Sequence, residues 1–215
     1  MKIVVNILLV GAILLLTFMC LRSILDVQEF DKEKVHRELA IQTRLIDIRR
    51  AQIEYKNMYG FHAGSFEDLI KFLNEEKLPV VVREGSLTDE QLAAGMTEQQ
   101  AVKDGLIRRD TTWVLAKDTL FDRGFDVTAL QYIPVAGVNA RFTMDTSTIA
   151  STSGYTVKVF ASGVLYDTYL GDLDRQQLIN LKDKMKKMGT ELRPRYLGLR
   201  VGSVDEINNN AGNWE

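Results

Sequence analysis

The sequence predicts an α+β protein in which an N-terminal transmembrane helix continues into a long amphipathic helix, followed by antiparallel sheet with helices on one face. Three observations predict this fold. Residues 3–21 are apolar and uncharged, residues 24–59 contain neither Pro nor Gly, and the remainder alternates short apolar runs with segments that begin like capped helices. Strands and helices in separate runs are typical of α+β domains, whereas regular βαβ alternation would predict a parallel sheet.

Composition limits the classes of function. The chain of 215 residues is 46% hydrophobic and 26% charged, which is typical of a folded protein. Its formal net charge is −2, so we expect no nucleic-acid partner, because binding a phosphate backbone needs a clustered positive surface. Cys20 is the one cysteine, which excludes an intramolecular disulfide.

Residues 1–23 are interpreted as an uncleaved membrane anchor. Ile3–Leu21 contains 19 uncharged residues, and a helix of that length crosses most of a hydrocarbon core of roughly 30 Å. A cleaved signal peptide would have a shorter apolar core, and a lipoprotein signal would have a small residue where Met19 precedes Cys20. Because a short tail precedes a large folded part, we expect a single-pass inner-membrane protein with its bulk in the periplasm.

Residues 24–60 are the second predicted element, an amphipathic helix that Gly60 ends. Apolar residues recur at helical spacing among charged ones. They are Val35, Leu39, Leu45, Ile46, Ile48, Ile53 and Tyr55. The polar early part predicts a stalk, and the later part either packs on a domain of the same chain or bundles with partner helices.

Residues 61–145 are predicted to form a first α+β region. Ser65–Asp68 reads as a capping box for a short helix, with apolar residues at Phe66, Leu69, Ile70 and Leu73. Two further capping boxes, at Thr88 and Thr97, predict a solvated helical insert over residues 88–105. The predicted strands are Pro79–Val82, Trp113–Ala116, Phe125–Val135 and Arg141–Met144.

The Ser/Thr-rich stretch Thr146–Gly154 predicts a flexible loop or linker. After it, residues 155–205 are expected to form a small ββαβ region. Its first two strands, Tyr155–Phe160 and Val164–Leu170, should make a hairpin around Ser162–Gly163.

The rest of this region is a helix and a strand. Asp174 is expected to cap the helix and Gly189 to end it, and Leu197–Gly202 follows as the last strand. Residues 206–215 are predicted to be an extended tail whose Trp214 docks into a groove of its own fold or of a partner, or which ends in disorder.

Motifs for catalysis, metals and cofactors are absent from the sequence. There is no His-Glu-x-x-His, no cysteine pair and no glycine-rich phosphate loop. Ser151 and Ser153 lack the Gly-x-Ser-x-Gly turn of a nucleophilic serine. Asp172 and Asp174 stand at a helix start, where capping explains them. We therefore expect a non-enzymatic protein without a cofactor or a metal.

One segment resembles a known family. Residues 48–61 read Ile48-x-x-Ala51-x-x-x-Tyr55-Lys56-x-x-x-Gly60-Phe61, and Ser65-Phe-Glu-Asp-Leu69 follows. With the membrane helix before it, this arrangement over residues 1–75 resembles the pilins and pseudopilins of type IV pilus and type II secretion machines. The cleavage-site Gly and the Glu of mature pilins are missing, and Val5 and Asn6 stand in that region.

The resemblance and the anchor together predict a membrane-anchored structural or assembly component of a cell-envelope complex. Its expected partners are the membrane and other membrane-anchored protein subunits, with a homo-oligomer as one form. The expected contact residues are Asn6, Leu45, Ile48, Tyr55 and Trp214. The alternative is a membrane-tethered periplasmic domain that binds or acts on a ligand or an envelope polymer.

Overall fold

The computed structural model describes residues 2–85, 87–88, 91, 95–151, 154–190 and 194–215. Internal contacts divide the chain into two compact units. The first unit comprises Met1–Ser65 with Leu130–Glu215, and the second comprises Phe66–Ala129. These bounds differ from the regions 61–145 and 155–205 expected from the sequence, because the strand that begins at Thr143 pairs within the first unit.

Helix α1 is continuous over Lys2–Tyr59, 58 residues, which corresponds to a length of about 87 Å. The prediction that the apolar helix runs straight into the amphipathic one is confirmed. The N-terminal part of α1 is long and apolar enough to cross a membrane. The helix ends at Gly60, whose φ of 77° suits a glycine and whose amide donates to the Lys56 carbonyl at 2.8 Å.

The later half of α1 packs on the sheet of its own unit. Ile41, Leu45 and Ile48 are 0% exposed, and the helix contacts strands β4 (Thr156–Leu165) and β5 (Gly198–Gly202). These two strands continue an antiparallel sheet, in the order β3-β4-β5, that begins with β3 (Thr143–Ala150). Two helices follow β4 in the chain, α5 (Tyr166–Leu170) and α6 (Arg175–Met188).

The predicted hairpin around Ser162–Gly163 is wrong, because β4 passes straight through both residues. A side chain at Gly163 would lie 2.8 Å from the Leu199 carbonyl oxygen. The glycine therefore permits a close approach of β5 and does not form a turn. The segment predicted as a second strand begins helix α5 at Tyr166.

The predicted loop Thr146–Gly154 is also wrong over its first part, since β3 extends to Ala150. Thr and Ile are β-branched residues that favour strands, and this preference prevails over the Ser/Thr-rich composition. The observed turn joins β3 to β4, where the Ser151 amide donates to the Tyr155 carbonyl at 2.7 Å. Residues 152–153 lie outside the described part of the chain.

The predicted strand Phe125–Val135 is wrong as well. A 3-10 helix occupies Val127–Gln131, and Asp126 Oδ1 accepts from the Thr128 amide at 2.9 Å. Such a side-chain bond to the backbone competes with strand formation. Only Tyr132 keeps a bridge, to Arg141.

The second unit is built on two antiparallel strands and short helices. Helix α2 (Phe66–Glu75) buries Phe66, Leu69, Phe72 and Leu73, so Phe72 takes the core position expected for Ile70. Strand β1 (Lys77–Glu84) pairs with β2 (Arg108–Leu115), and helix α4 (Ala116–Leu120) follows β2. The predicted strands at Pro79 and Trp113 are confirmed.

The predicted insert is confirmed in its second half. Helix α3 (Glu98–Lys103) carries the capping box of Thr97 and Gln100. At the start of the first half, the Gln91 amide donates to Thr88 Oγ1 at 3.4 Å, but residues 89–90 and 92–94 lie outside the described residues.

Candidate functional site

Arg37 joins α1 to the segment between α5 and α6. It is only 9% exposed. Its Nη1 and Nη2 donate to the two carboxylate oxygens of Asp172 at 2.6 and 2.8 Å. Nη1 also donates to the Tyr169 carbonyl at 2.7 Å, and Nε donates to Glu33 at 2.8 Å. A two-pronged bond of this kind fixes direction as well as distance.

Each member of this pair stabilises the charged form of the other. The hydrogen bond to Asp172 raises the pKa of Arg37 above its ordinary value. The hydrogen bond from Arg37 lowers the pKa of the Asp172 carboxyl. The expectation that Asp172 serves as a helix cap is wrong, since the cap of α6 is Asp174, whose Oδ1 accepts from the Gln177 amide at 2.8 Å.

One helical position along, Glu38 makes a second link. The buried Tyr169 hydroxyl donates to Glu38 Oε1 at 3.1 Å, and Lys34 Nζ donates to Glu38 Oε2 at 3.1 Å. Burial, reinforced by the Glu38 charge, raises the pKa of Tyr169. Tyr169 therefore stays a neutral donor, and the Arg37 and Glu38 links together fasten α1 to α5.

The C-terminal tail covers the outer edge of β5 with four hydrogen bonds. The Asn213 side chain accepts from the Arg200 amide at 3.0 Å and donates to the Gly198 carbonyl at 2.8 Å. The Asn213 amide donates to the Arg200 carbonyl at 2.9 Å, and the Gly202 amide donates to the Ala211 carbonyl at 3.0 Å. Every second residue of β5 thus finds partners in the tail, which protects an otherwise open sheet edge.

The end of the tail is also tied to α1. Arg49 Nη1 donates to the Glu215 side chain at 2.7 Å. Trp214 lies directly over Gly212, where any side chain would collide with the indole ring. The Trp214 ring therefore packs against the turn of the tail itself.

Trp214 lines a cavity of about 580 Å³ that we name the tail groove. Its walls come from α1, the start of α5, the end of α6, the segment before β5, β5 itself and the C-terminal tail. Lys34 and Glu38 are among the residues of α1 that line it. Its further lining residues are Gln42, Tyr166, Met185, Met188, Gly189, Thr190, Pro194, Arg195, Tyr196, Gly198, Leu199, Arg200, Glu206 and Asn213.

Cations and aromatic rings determine what the tail groove can hold. The Arg200 guanidinium lies 5.1 Å from the centre of the Tyr196 ring, a cation–π distance. Arg195 is exposed beside them. Burial raises the pKa of Tyr196 and, together with Glu38, that of Tyr166, so both phenols remain protonated. These arginines could bind an anionic group, and the Tyr196 ring could stack on an aromatic one.

His62 is a deeply buried titratable group outside the groove. It is 4% exposed, and its ring centre lies 4.7 Å from that of Phe160. Burial, with a smaller contribution from the Lys56 charge, lowers its pKa to about 4. The neighbouring backbone is fixed by Gln52, whose side chain pairs with both the amide and the carbonyl of Ala63 at 2.9 Å.

The predicted contact residues fall in different places. Leu45 and Ile48 are 0% exposed and Tyr55 is 9% exposed, so they belong to the core of their own unit and cannot meet a partner. Asn6 is exposed on the N-terminal part of α1, and Trp214 lines the tail groove.

Nothing in the sequence spacing indicates the Arg37–Asp172 pair or the role of Asn213. Among the residues that the structure describes, no group of three His, Cys, Asp or Glu side chains is placed to hold a metal ion. No protein-family model matches the chain, and neither a curated protein nor a solved structure matches it.

Proposed function

We propose that this protein is a non-enzymatic, membrane-anchored assembly component of a cell-envelope complex, in which α1 is both the anchor and a surface for helix packing. The proposal places residues 3–21 in the inner membrane and the folded units on its periplasmic side. Partners would be other membrane-anchored subunits, held in one plane so that weak contacts become effective.

The observation that carries the proposal is that α1 is apolar on two opposite sides beyond the anchor. One side is buried on β4 and β5. The other carries Val35 and Leu39, which are 61% and 64% exposed. Large apolar side chains that are exposed next to each other on a helix are stabilised by covering them, which supports a second partner for α1.

The stiffness of the connection supports the same function. Burial along the described part of α1 begins at Phe30, about 14 Å along the helix from Leu21. Arg37 and Glu38 then fasten the helix to α5. A continuous helix that is fixed to the fold so soon after the anchor would hold the first unit at a set distance from the membrane surface. A constant distance of this kind is what positioning a partner requires.

Two measurements test the proposal. Alkaline carbonate extraction should leave the full-length chain in the membrane pellet, and a variant lacking residues 1–26 should be released. Extraction in a mild detergent should then yield a particle heavier than one chain. A full-length chain that is released by carbonate, or that is monomeric without associated subunits, would contradict the proposal.

A second candidate function is ligand binding by a tethered domain, which the tail groove favours. Its volume of about 580 Å³ is within the range of small-ligand sites. Under this alternative, Trp214 fluorescence should respond to an acidic aromatic ligand, with benzoate or a phosphotyrosine peptide as probes. The response should be lost in Arg195→Ala and retained in Arg50→Ala, whose side chain does not line the groove.

A further inference from the structure

We propose that α1 pairs with α1 of a second copy of this chain, in parallel and in register, along one continuous face. The inference rests on the proposed function and identifies the partner. We name the face the outer face. Its residues are Asn6, Thr17, Gln28, Val35, Leu39, Ile46 and Ile53.

Helix geometry places these residues on one side of α1. At about 100° per residue they fall within an arc of roughly 60°, which Val10, Gln42 and Asn57 share. The buried residues of α1 lie on the other side, with the two sets centred roughly 140° apart. The buried set comprises Phe30, Arg37, Ile41, Leu45, Ile48, Ala51, Gln52 and Tyr55.

The outer face carries polar side chains within the apolar segment and large apolar side chains beyond it. In the apolar segment it carries Asn6 and Thr17, the two polar side chains of residues 3–21. Beyond the anchor, where water would surround the helix, it carries Val35, Leu39, Ile46 and Ile53. Ile53 is still 38% exposed although it lies within the folded unit.

A neighbouring helix is the environment that suits both halves. In a bilayer, polar side chains face other helices and not lipid, because an amide in hydrocarbon needs a hydrogen-bond partner. In water, an apolar stripe is stabilised by covering it. Thr17 satisfies its hydroxyl within the helix, by donating to the Ile13 carbonyl at 2.8 Å, so Asn6 is the group that gains most from a partner.

The seven-residue spacing of the apolar residues and the depth of Asn6 in the membrane identify the partner as a second copy. Leu39, Ile46 and Ile53 are seven residues apart, which is the repeat of two helices in a parallel coiled coil. In a parallel pair without stagger, Asn6 meets Asn6 at one depth in the membrane. A carboxamide both donates and accepts, so two copies can bond each other and set the register.

A different subunit would have to match the outer face twice. It would need a polar group at the depth of Asn6 and apolar groups at the heights of Leu39 and Ile53. A second copy anchored in the same membrane meets both conditions without further assumptions. Lys32 and Arg50 lie at the border of the face and are exposed, and their long side chains can reach solvent.

Cysteine cross-linking of the full-length chain in its membrane tests the pairing. In a Cys20→Ser background, single cysteines are introduced by Leu39→Cys and Ile53→Cys on the outer face. The controls are His36→Cys and Met58→Cys, which lie off the face, and Met58 has the same 38% exposure as Ile53. We expect oxidation to give a product of two chains at positions 39 and 53, with about tenfold less at the control positions.

Introducing a charge on the outer face provides a second test. Leu39→Glu should reduce cross-linking through a cysteine at position 53 by about tenfold, whereas His36→Glu should leave it unchanged. Asn6→Val should reduce it by about five- to thirtyfold if the two carboxamides bond in the bilayer. Because Leu39 is exposed within its own chain, the variant should keep its fold and its thermal midpoint.

The outcomes separate this inference from the proposed function. Equal yields at all four positions, or none at positions 39 and 53, would overturn the pairing. A product joining this chain to one of different mass would also overturn it while leaving the assembly function standing. A chain that is monomeric in mild detergent and forms no cross-link would contradict both the pairing and the proposed function.

Discussion

Arg37 and Asp172 lie 135 residues apart in the sequence and are joined by two hydrogen bonds of 2.6 and 2.8 Å. The pair connects the stalk part of a helix that can cross a membrane with the loop before α6. A force applied to α1 is therefore transmitted to the first unit through this fixed contact.

Removing the guanidinium should loosen this connection. Arg37→Ala removes the donor to the Tyr169 carbonyl and the guanidinium bonds to Asp172. Because the Asp172 side chain is 58% exposed and water can replace its donor, we expect a loss of about 1 to 2 kcal/mol in the free energy of unfolding. Arg37→Lys should lose less, since it retains the charge but not the two-pronged bond. Thermal unfolding followed by tryptophan fluorescence in detergent measures both. The exposed Arg50→Ala is the control, and an Arg37→Ala midpoint equal to it would refute the role assigned to the pair.

The Tyr169 hydroxyl should contribute a smaller amount. Tyr169→Phe keeps the buried ring but removes the donor to Glu38, and we expect a cost of about 1 to 2 kcal/mol because the acceptor is charged. Lys34 still pairs with Glu38, which limits the loss. Tyr155→Phe is a suitable control, since Tyr155 is 76% exposed, and its midpoint should not move. An equally unaffected Tyr169→Phe would show that the bond contributes nothing.

His62 should make stability depend on pH. Burial lowers its pKa from the ordinary 6.5 to about 4 in the folded chain, so the unfolded chain binds more protons between these values. The free energy of unfolding should therefore fall as the pH is lowered from about 6.5 to about 4, by about 2 to 3 kcal/mol, and this group should add no further loss below that range.

Variants isolate this effect from that of the carboxylates. His62→Gln should flatten the dependence between pH 6.5 and 4, as determined by denaturant unfolding at each pH, whereas the exposed His36→Gln should retain it. A profile for His62→Gln that is parallel to that of the parent chain would exclude His62 as the source.

The tail should protect specific amides of β5 from hydrogen exchange. Asn213→Ala removes the acceptor of the Arg200 amide, so that amide should exchange at least about tenfold faster. The Gly202 amide donates to Ala211 and should change much less. Asn180→Ala, on exposed helix α6, is the control. Unchanged protection of Arg200 in Asn213→Ala would mean that the tail does not complete the sheet.

Gly163 should tolerate no side chain. Gly163→Ala forces the backbones of β4 and β5 apart, and we expect it to lower the free energy of unfolding by about 1 to 3 kcal/mol. At Gly64 the nearest atom to an added Cβ is Thr146 Oγ1 at 3.9 Å, so Gly64→Ala is a control that should have little effect. Equal midpoints for the two variants would contradict the close approach.

Features of this fold that depend on neighbouring residues could be predicted from the sequence. The unbroken α1, its end at Gly60, the cap of α6 at Asp174 and the capping box at Thr97 each follow from residues within one or two turns. Gly163 was misread as a turn because its reason for being glycine is a carbonyl on another strand.

The candidate site depends on distant pairs and was largely beyond sequence reasoning. The Arg37–Asp172 bond and the pairing of Asn213 with β5 join segments that no local spacing connects. Apolar spacing identified Leu45, Ile48 and Tyr55 as important, but it does not tell whether the chain's own sheet or a partner covers them. The burial of Ile41, Leu45 and Ile48 and the exposure of Val35 and Leu39 show which side of α1 the sheet covers.

The most direct test of the central claim, that this chain works as a subunit assembled through α1, is the mass of the full-length protein extracted from its membrane in a mild detergent. We expect a particle containing at least two chains of 24.4 kDa, which Leu39→Glu reduces to a single chain and His36→Glu does not. A monodisperse particle with one 24.4 kDa chain and no other subunit would contradict the claim.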